Sequence, residues 1–293
     1  AQAMTVELTD VDLWVGPGGS LINTGDNDFT DATTFNNDAV EDGDIGFRGH
    51  VGSFNLASLK DTNGTPLNLL DDKTYLALDI SGLNAGLVGL EDVLVFNAWN
   101  IEVLVNSATH ADGVTVVAKL DWSDFTVSDG LDLPAYNSEL TDAVDLTLSG
   151  AAELNVLGGL VVLKVTSFDM QIGQLSGSDG TTTLTDAQAM TVTLTDVDLW
   201  VGPGGSLSGT GDNSFTDAST FTNDAVEDGD IGFRGHVASF NLASLKDTNG
   251  TPANLLDDKT YLALDIGGLN AGLVGLEDVL VFNAWNIEVL VNS

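Results

Sequence analysis

Residues 3–15 read AMTVELTDVDLWV, and this stretch shows how the chain is built. Met4, Val6 and Leu8 alternate with polar residues, which places them on one face of a β-strand. After a slip of one position, the alternation resumes at Val11. A period of two predicts β-structure, and the slip predicts a bulge or bend in the middle of a long strand.

The first 186 residues contain seven aligned segments of this kind, each with two alternating apolar runs. They are 3–15, 45–59, 75–88, 93–105, 116–127, 144–157 and 163–175. Connectors rich in Gly, Asn, Asp, Thr and Ser separate them, as turns require. Because no stretch keeps a 3.6-residue period, we expect little helix.

These segments predict an all-β fold in which antiparallel β-meander or sandwich repeats stack into an elongated rod or fibre. Several segments are apolar on both faces in places, which favours two layers with a buried middle. A right-handed β-solenoid is the alternative, since bent segments with two runs could also be its coils.

The chain repeats itself, because residues 1–107 recur at residues 187–293 with only nine differences. We therefore divide it into one full repeat, 1–186, entered in mid-pattern, and the first part of the next, 187–293. Near-identical copies bring no obvious gain to an enzyme, whereas each copy lengthens a stalk or filament. Both ends fall inside the pattern, so we expect this chain to belong to a longer protein.

The composition restricts the partners and the compartment. The chain has 8 basic and 44 acidic residues, a net charge of −36, yet 43% of its residues are hydrophobic, which is too apolar for a disordered tail. Such a charge repels nucleic acid and anionic membranes and attracts cations. No apolar stretch approaches the roughly 20 residues that span a bilayer. The absence of Cys suits a secreted bacterial protein that uses calcium in place of disulfides.

One connector is far longer than the others and strongly acidic. Residues 25–47 read GDNDFTDATTFNNDAVEDGDIGF, with seven acids and no basic residue before Arg48. Alternate carboxylates with Asn and backbone oxygens suit calcium. The loop contains little that should enter a core, and the alternative role for its acids is to keep a polymer soluble. The candidate calcium ligands are Asp26, Asp28, Asp31, Asp38, Asp42 and Asp44, with Asp212, Asp217, Asp224, Asp228 and Asp230 in the second copy.

A second acidic turn, DTNGTPLNLLDDKT at 61–74, resembles a shortened calcium loop. Asp, Asn and Gly are also ordinary turn formers, and Lys60 and Lys73 can pair with its carboxylates. We therefore expect a turn without metal at this place.

Catalytic chemistry is weakly represented. His50, His110 and His236 each stand without a second histidine nearby, so we expect neither a zinc site nor a hydrolase triad. The turn GPGGS at 16–20 lacks the Lys of a phosphate loop. We expect no enzyme.

The five tryptophans fall within the predicted strand segments, where packing against a sheet is their ordinary role. They are Trp14, Trp99, Trp122, Trp200 and Trp285. Stacking on carbohydrate is the alternative.

Four phrases carry a resemblance to a known class of proteins. They are LTDVDLWVGPGGSL (8–21), VVAKLDWSDFTV (116–127), the run from Leu175 to Gly202, and the run from Leu70 to Ser107. They resemble the long repeats of giant bacterial surface proteins, such as large repeats-in-toxin adhesins and haemagglutinin-like proteins. The resemblance implies secretion, calcium-rich surroundings and assembly into a long fibre or cell-surface coat. The tandem glycine-rich nonapeptide of repeats-in-toxin tails is absent, so their calcium β-roll is not expected.

Together these features predict a structural repeat of an extracellular fibre, stalk or surface coat, stabilised by calcium. Its expected partners are neighbouring repeats of the same protein, with self-association into fibres. The alternative is an adhesin module that binds carbohydrate or a partner cell surface. We expect neither nucleic-acid binding nor membrane insertion.

Overall fold

The computed structural model describes residues 2–127, 131–249, 251 and 254–293. The described residues form long β-strands joined by short hairpins and irregular segments, with helical structure limited to 3-10 turns. The strands are β1 (Gln2–Val15), β2 (Ser20–Ile22), β3 (Ala39–Glu41), β4 (Gly46–Asp61), β5 (Lys73–Val88), β6 (Leu94–His110), β7 (Val144–Val156), β8 (Val161–Ser178), β9 (Thr183–Val201), β10 (Ser206–Ser208), β11 (Ala225–Glu227), β12 (Gly232–Asp247), β13 (Lys259–Val274) and β14 (Asn283–Asn292). The 3-10 turns are Thr24–Asp26, Ala32–Phe35, Thr210–Asp212 and Ala218–Phe221.

Ten long strands make one antiparallel sheet in the order β1-β4-β5-β6-β7-β8-β9-β12-β13-β14. Each long strand pairs with the next long strand of the chain, while β2–β3 and β10–β11 form separate small hairpins. The predicted all-β antiparallel meander is confirmed. The solenoid alternative is wrong, because each long strand pairs antiparallel with the long strand before it in the chain.

The slip seen in the sequence corresponds to an interruption of regular pairing within the long strands. Asp10 in β1 and Asn100 in β6 have left-handed backbone, with φ of 52° at each. Opposite Asp10 the ladder skips Gly52, and beside Gly52 lies Gly82 with φ of 63°. A left-handed residue interrupts the alternation of side chains, so the predicted shift of apolar phase is confirmed as a break in regular strand geometry.

Six of the seven predicted strand segments are confirmed, and the segment 116–127 is wrong. Its backbone finds partners outside any ladder: Asn106 Nδ2 on β6 donates to the carbonyl of Leu120 at 2.7 Å, and the Trp122 N–H donates to Leu140 at 3.1 Å. The Trp122 indole donates to Asn106 Oδ1 at 3.0 Å. The segment 116–127 therefore alternates in sequence and lies over the sheet, but it is not a strand.

The second layer consists of irregular chain rather than a second sheet. Residues 111–127 and 131–143, the covering segment, place Trp122 and Leu140 over Ala57, Ala77 and Leu104. The other cover is the second-copy loop, residues 209–230, which packs against β6 and β7 through Phe221. Among the described residues, the predicted buried middle therefore forms under these two covers.

Candidate functional site

The second-copy loop is held in shape by short-range hydrogen bonds. Asp217 caps the turn Ala218–Phe221, where its carboxylate accepts from Ser219 N at 3.0 Å and from Ser219 Oγ at 2.7 Å. These bonds favour the ionised carboxylate and lower the pKa of Asp217. Asp31 caps the equivalent turn of the first-copy loop, residues 23–44, by the same contacts to Thr33.

The acids predicted as calcium ligands have three kinds of surroundings. Asp28, Asp31 and Asp217 accept hydrogen bonds from residues within their own turns. Asp26, Asp38, Asp212 and Asp224 accept from asparagine side chains across their loops. Asp42 pairs with Arg48 and Asp228 pairs with Arg234, both at 3.1 Å, while Asp44 and Asp230 lie just before β4 and β12. Arg48 and Arg234, which follow the two acidic loops in the sequence, thus each pair with a carboxylate of the preceding loop.

Within the described ranges, no group of three or more acidic or histidine side chains is arranged to hold a metal ion. Two buried oxygens in each copy nevertheless lack a hydrogen-bond partner there: Oδ1 of Asn213 and of Asp224, and Oδ1 of their counterparts Asn27 and Asp38. In both copies the asparagine donates from Nδ2 to Oδ2 of the aspartate at 2.8 Å. Calcium binding at these loops stays a prediction.

The second-copy loop docks on strands of the first copy through aromatic stacking. The ring of Phe221 lies 5.0 Å from that of Trp99 on β6, with 13° between the planes. Phe215 packs beside Phe221 at 5.7 Å, and its carbonyl accepts from Asn84 Nδ2 on β5 at 2.7 Å. Stacked aromatic pairs of this kind contribute about 0.5–1.5 kcal/mol beyond their burial.

A lysine on β8, two strands from β6 in the sheet, also holds this loop. Nζ of Lys164 on β8 donates to the carbonyls of Phe221 and Thr222, each at 3.3 Å, and to that of Asp224. The same ammonium lies 5.9 Å from the centre of the Trp99 ring. A buried ammonium must replace its water shell with acceptors, and here the loop backbone supplies them.

Glu153 on β7 completes this group of side chains, which we call the platform: Asn84, Asn97, Trp99, Glu153 and Lys164. Oε1 of Glu153 accepts from Asn97 Nδ2 at 2.7 Å, while Oε2 of Glu153 has no hydrogen-bond partner among the described residues. Burial is the main cause that raises the pKa of Glu153 to about 7, and the nearby Asp224 carboxylate adds to the shift.

The two copies place the same residues in different surroundings, which shows what docking does. Phe221 is 0% exposed, whereas its counterpart Phe35 is 37% exposed and contacts Phe29, which is 94% exposed. On the other side of the contact, Trp99 is 3% exposed and its counterpart Trp285 is 71% exposed. Burial therefore depends on a neighbouring copy and not on the local sequence.

A second contact between the first and second copies lies beside β9. Trp200 on β9 is fully buried and packs with Val162 of β8 and Val226 of β11. Its indole donates to the carbonyl of Gly202 at 2.8 Å. The hairpin of the second copy is therefore seated on a strand of the first.

The remaining predicted features have structural partners. Each histidine lies against one aspartate: His50 with Asp12, His110 with Asp112, and His236 with Asp198, at 3.0–3.1 Å. In the second acidic turn, Lys60 pairs with Asp72 at 2.7 Å. The packing role of tryptophan is confirmed for Trp99, Trp122 and Trp200, which are all buried.

The platform and the loop phenylalanines were missed by sequence reasoning. The expectation that the long loop would contribute little to a core is wrong, since Phe221 is among the most buried side chains described. Phe215 and Phe221, spaced six apart in an otherwise polar loop, were the available signal. Their partners Trp99 and Lys164 belong to another copy and could not be assigned from spacing.

Comparison with protein-family models, with curated proteins and with solved structures finds no match to this chain. Among the described residues, no helix has the length and apolar character needed to cross a bilayer.

Proposed function

We propose that this chain is a structural repeat of a long extracellular fibre, stalk or surface coat, in which one β-sheet runs on from repeat to repeat. The observation that carries the proposal is the hydrogen bonding at the boundary. Strand β9, which contains the start of the second copy, pairs with β8 on one side and with β12 on the other. The copies are therefore joined along whole strands and not through a linker.

The docked loop supports the same role, because it adds a second connection between successive copies. Stacking of Phe221 on Trp99 and the bonds from Lys164 tie the second copy to strands β6 and β8 of the first. A sheet whose copies are joined by these side-chain contacts as well as by strand pairing should resist bending between copies better than a sheet joined by strand pairing alone. Such stiffness suits a stalk, in which each repeat contacts its immediate neighbours.

The test is to lengthen the chain by one 186-residue period and measure its shape by small-angle scattering. Six strand steps separate β1 from its counterpart β9 in the sheet order. At about 4.8 Å per step, the long dimension should grow by about 29 Å for each added period, with an unchanged cross-section. A variable spacing between compact bodies, or growth in all directions, would contradict a continuous sheet.

We also propose that calcium stabilises the loops, as hard oxygen ligands of this kind favour that ion. The support is the pair of unsatisfied oxygens on Asn213 and Asp224, which recurs at Asn27 and Asp38. An ion bound there would replace the missing partners and would stabilise the docked loop by favouring its ordered form.

Calorimetric titration of calcium into chelator-treated chain, with thermal unfolding in parallel, tests the calcium proposal. We expect saturable binding and a rise in melting temperature, both reduced by Asp224→Asn. The control Asp217→Asn changes the charge equally at a carboxylate that caps a turn and should leave binding in place. Absence of binding would leave the acids as a means of keeping the polymer soluble.

The adhesin alternative requires exposed aromatic side chains near the acidic loops. Trp99 and Trp200 lie next to the second-copy loop and hairpin and are both buried by them. The burial of these two tryptophans favours the scaffold over carbohydrate stacking at this boundary, whereas Phe29, 94% exposed in the first-copy loop, is an aromatic side chain that the adhesin alternative could use.

A further inference from the structure

One face of the sheet carries two rows of side chains that are apolar at every position except Ser244, and we call them the apolar rows. In each row, residues paired across adjacent strands place their side chains on the same side of the sheet. The first row crosses all ten long strands: Leu8, Phe54, Ile80, Val103, Leu148, Met170, Val192, Leu242, Leu264 and Val291. The second row, two residues further along each strand, is Val6, Leu56, Leu78, Val105, Leu146, Ile172, Met190, Ser244 and Leu262.

The side chains of the apolar rows are half-buried or exposed, in contrast to the buried residues on the face behind them. None of the ten side chains of the first row is buried by the described residues, and Leu8 and Val291 at the edges are exposed. Leu104, adjacent to Val103 but on the opposite face, is 0% exposed because the covering segment lies over it. The more apolar face is thus the one without a cover among the described residues.

The charge of the chain avoids these rows. Neither row contains an acidic or basic residue, although the chain carries a net charge of −36. The neighbouring positions on the other face include Glu7, Asp79 and Gln171, which pair into rows of their own. A partner that approaches the apolar rows therefore meets no ionised group that it would have to desolvate.

The area of the rows is adequate for a specific interface. Ten strands at about 4.8 Å span about 48 Å, and two rows occupy a band about 14 Å wide. The band therefore has an area of about 650 Å² on each copy, or about 1,300 Å² when two copies meet. Stable protein interfaces bury about 1,200–2,000 Å² in total.

We propose that the apolar rows pair face to face with the same rows of a second copy of this chain. Two identical bands match in length and strand spacing, and their aliphatic side chains can interdigitate as in a two-layer sandwich with sheets about 10 Å apart. Every further repeat adds to both bands equally, so the contact strengthens with the length of the fibre. This side-by-side pairing goes beyond end-to-end growth and does not depend on it.

Sedimentation equilibrium of the full chain over a range of concentrations tests the proposal. Met170→Lys places an unpaired charge at the centre of the first row, and should raise the dimer dissociation constant about 100-fold or more. Gln171→Lys is the matched control, since it makes a cation at the next position of the same strand on the opposite face. We expect wild type and Gln171→Lys to dimerise alike, and added salt to strengthen both dimers by screening repulsion.

A wild-type chain that stays monomeric at about 100 μM in high salt would overturn the proposal. A dimer that Met170→Lys leaves intact would overturn it as well, and would assign the contact to the edge strands β1 and β14. Binding of monomers to phosphatidylcholine vesicles without self-association would assign the rows to a lipid surface instead. The scattering test of end-to-end growth is independent of all these outcomes.

Discussion

Phe221→Ala and Phe35→Ala remove the same ring from the same position of two copies, and we expect very different effects. Phe221 is fully buried, stacks on Trp99 and lies beside Phe215. Phe35 is 37% exposed and packs edge-on against Phe29, which is itself almost fully exposed. The first-copy residue is therefore an internal control for the second-copy residue, with the same turn around it.

The expected loss of stability follows from the burial of each ring. Truncation of a buried Phe to Ala costs about 3–5 kcal/mol, which includes the cavity left behind. Phe35→Ala should cost less than about 1 kcal/mol, because little of its surroundings is lost and surface substitutions are usually mild. The difference, about 3 kcal/mol, corresponds to roughly a hundredfold change in the opening equilibrium of the second-copy loop.

Hydrogen exchange gives a matched readout in the two loops. The Asp224 amide donates to the carbonyl of Phe221, and the Asp38 amide donates to that of Phe35. In wild type the Asp224 amide should exchange much more slowly than the Asp38 amide. Phe221→Ala should accelerate the exchange of the Asp224 amide, and of most other amides in the second-copy loop, about a hundredfold. Equal exchange of the two loops in wild type would refute the reasoning, as would equal effects of the two substitutions.

Two further predictions concern the buried Asp79 on β5 and Gly205, which lies between β9 and β10. Burial raises the pKa of Asp79, so its neutral form is favoured in the fold and stability should fall as pH rises from its ordinary pKa of 3.8 through the raised value. Asp79→Asn should remove that part of the fall and raise the melting temperature most at neutral pH; a pH profile parallel to that of wild type would contradict this. A Cβ at Gly205 would lie 2.1 Å from Cδ1 of buried Trp200, so Gly205→Ala should cost about 1–3 kcal/mol in chemical denaturation. Gly211→Ala, with nothing within 4 Å of its Cβ, is the control and should be nearly neutral.

Local sequence was sufficient for the strands and their bend. Alternation with a period of two identified six strands of the repeat, since a half-buried strand needs nothing more than its own pattern of side chains. The phase slip before Val11 predicted an irregularity in β1, because one irregular residue shifts every later side chain, and the structure has the left-handed Asp10 at this place. The long acidic connector is irregular as predicted over most of its length, since Asp, Asn and Gly favour turns, but its ends pair as the small hairpin of β2 and β3, which was not predicted.

Contacts over long sequence distances were decided only by the tertiary structure. The segment 116–127 alternates like a strand, but Asn106 and Leu140 supply its backbone with partners, which no local pattern records. Phe35 and Phe221 stand in nearly identical sequences, yet only one is buried. The physical reason is that burial requires a surface to pack against. For the second-copy loop this surface is Trp99 and Lys164 of the preceding copy, so its burial is set by its neighbour, while its local backbone is the same in both copies.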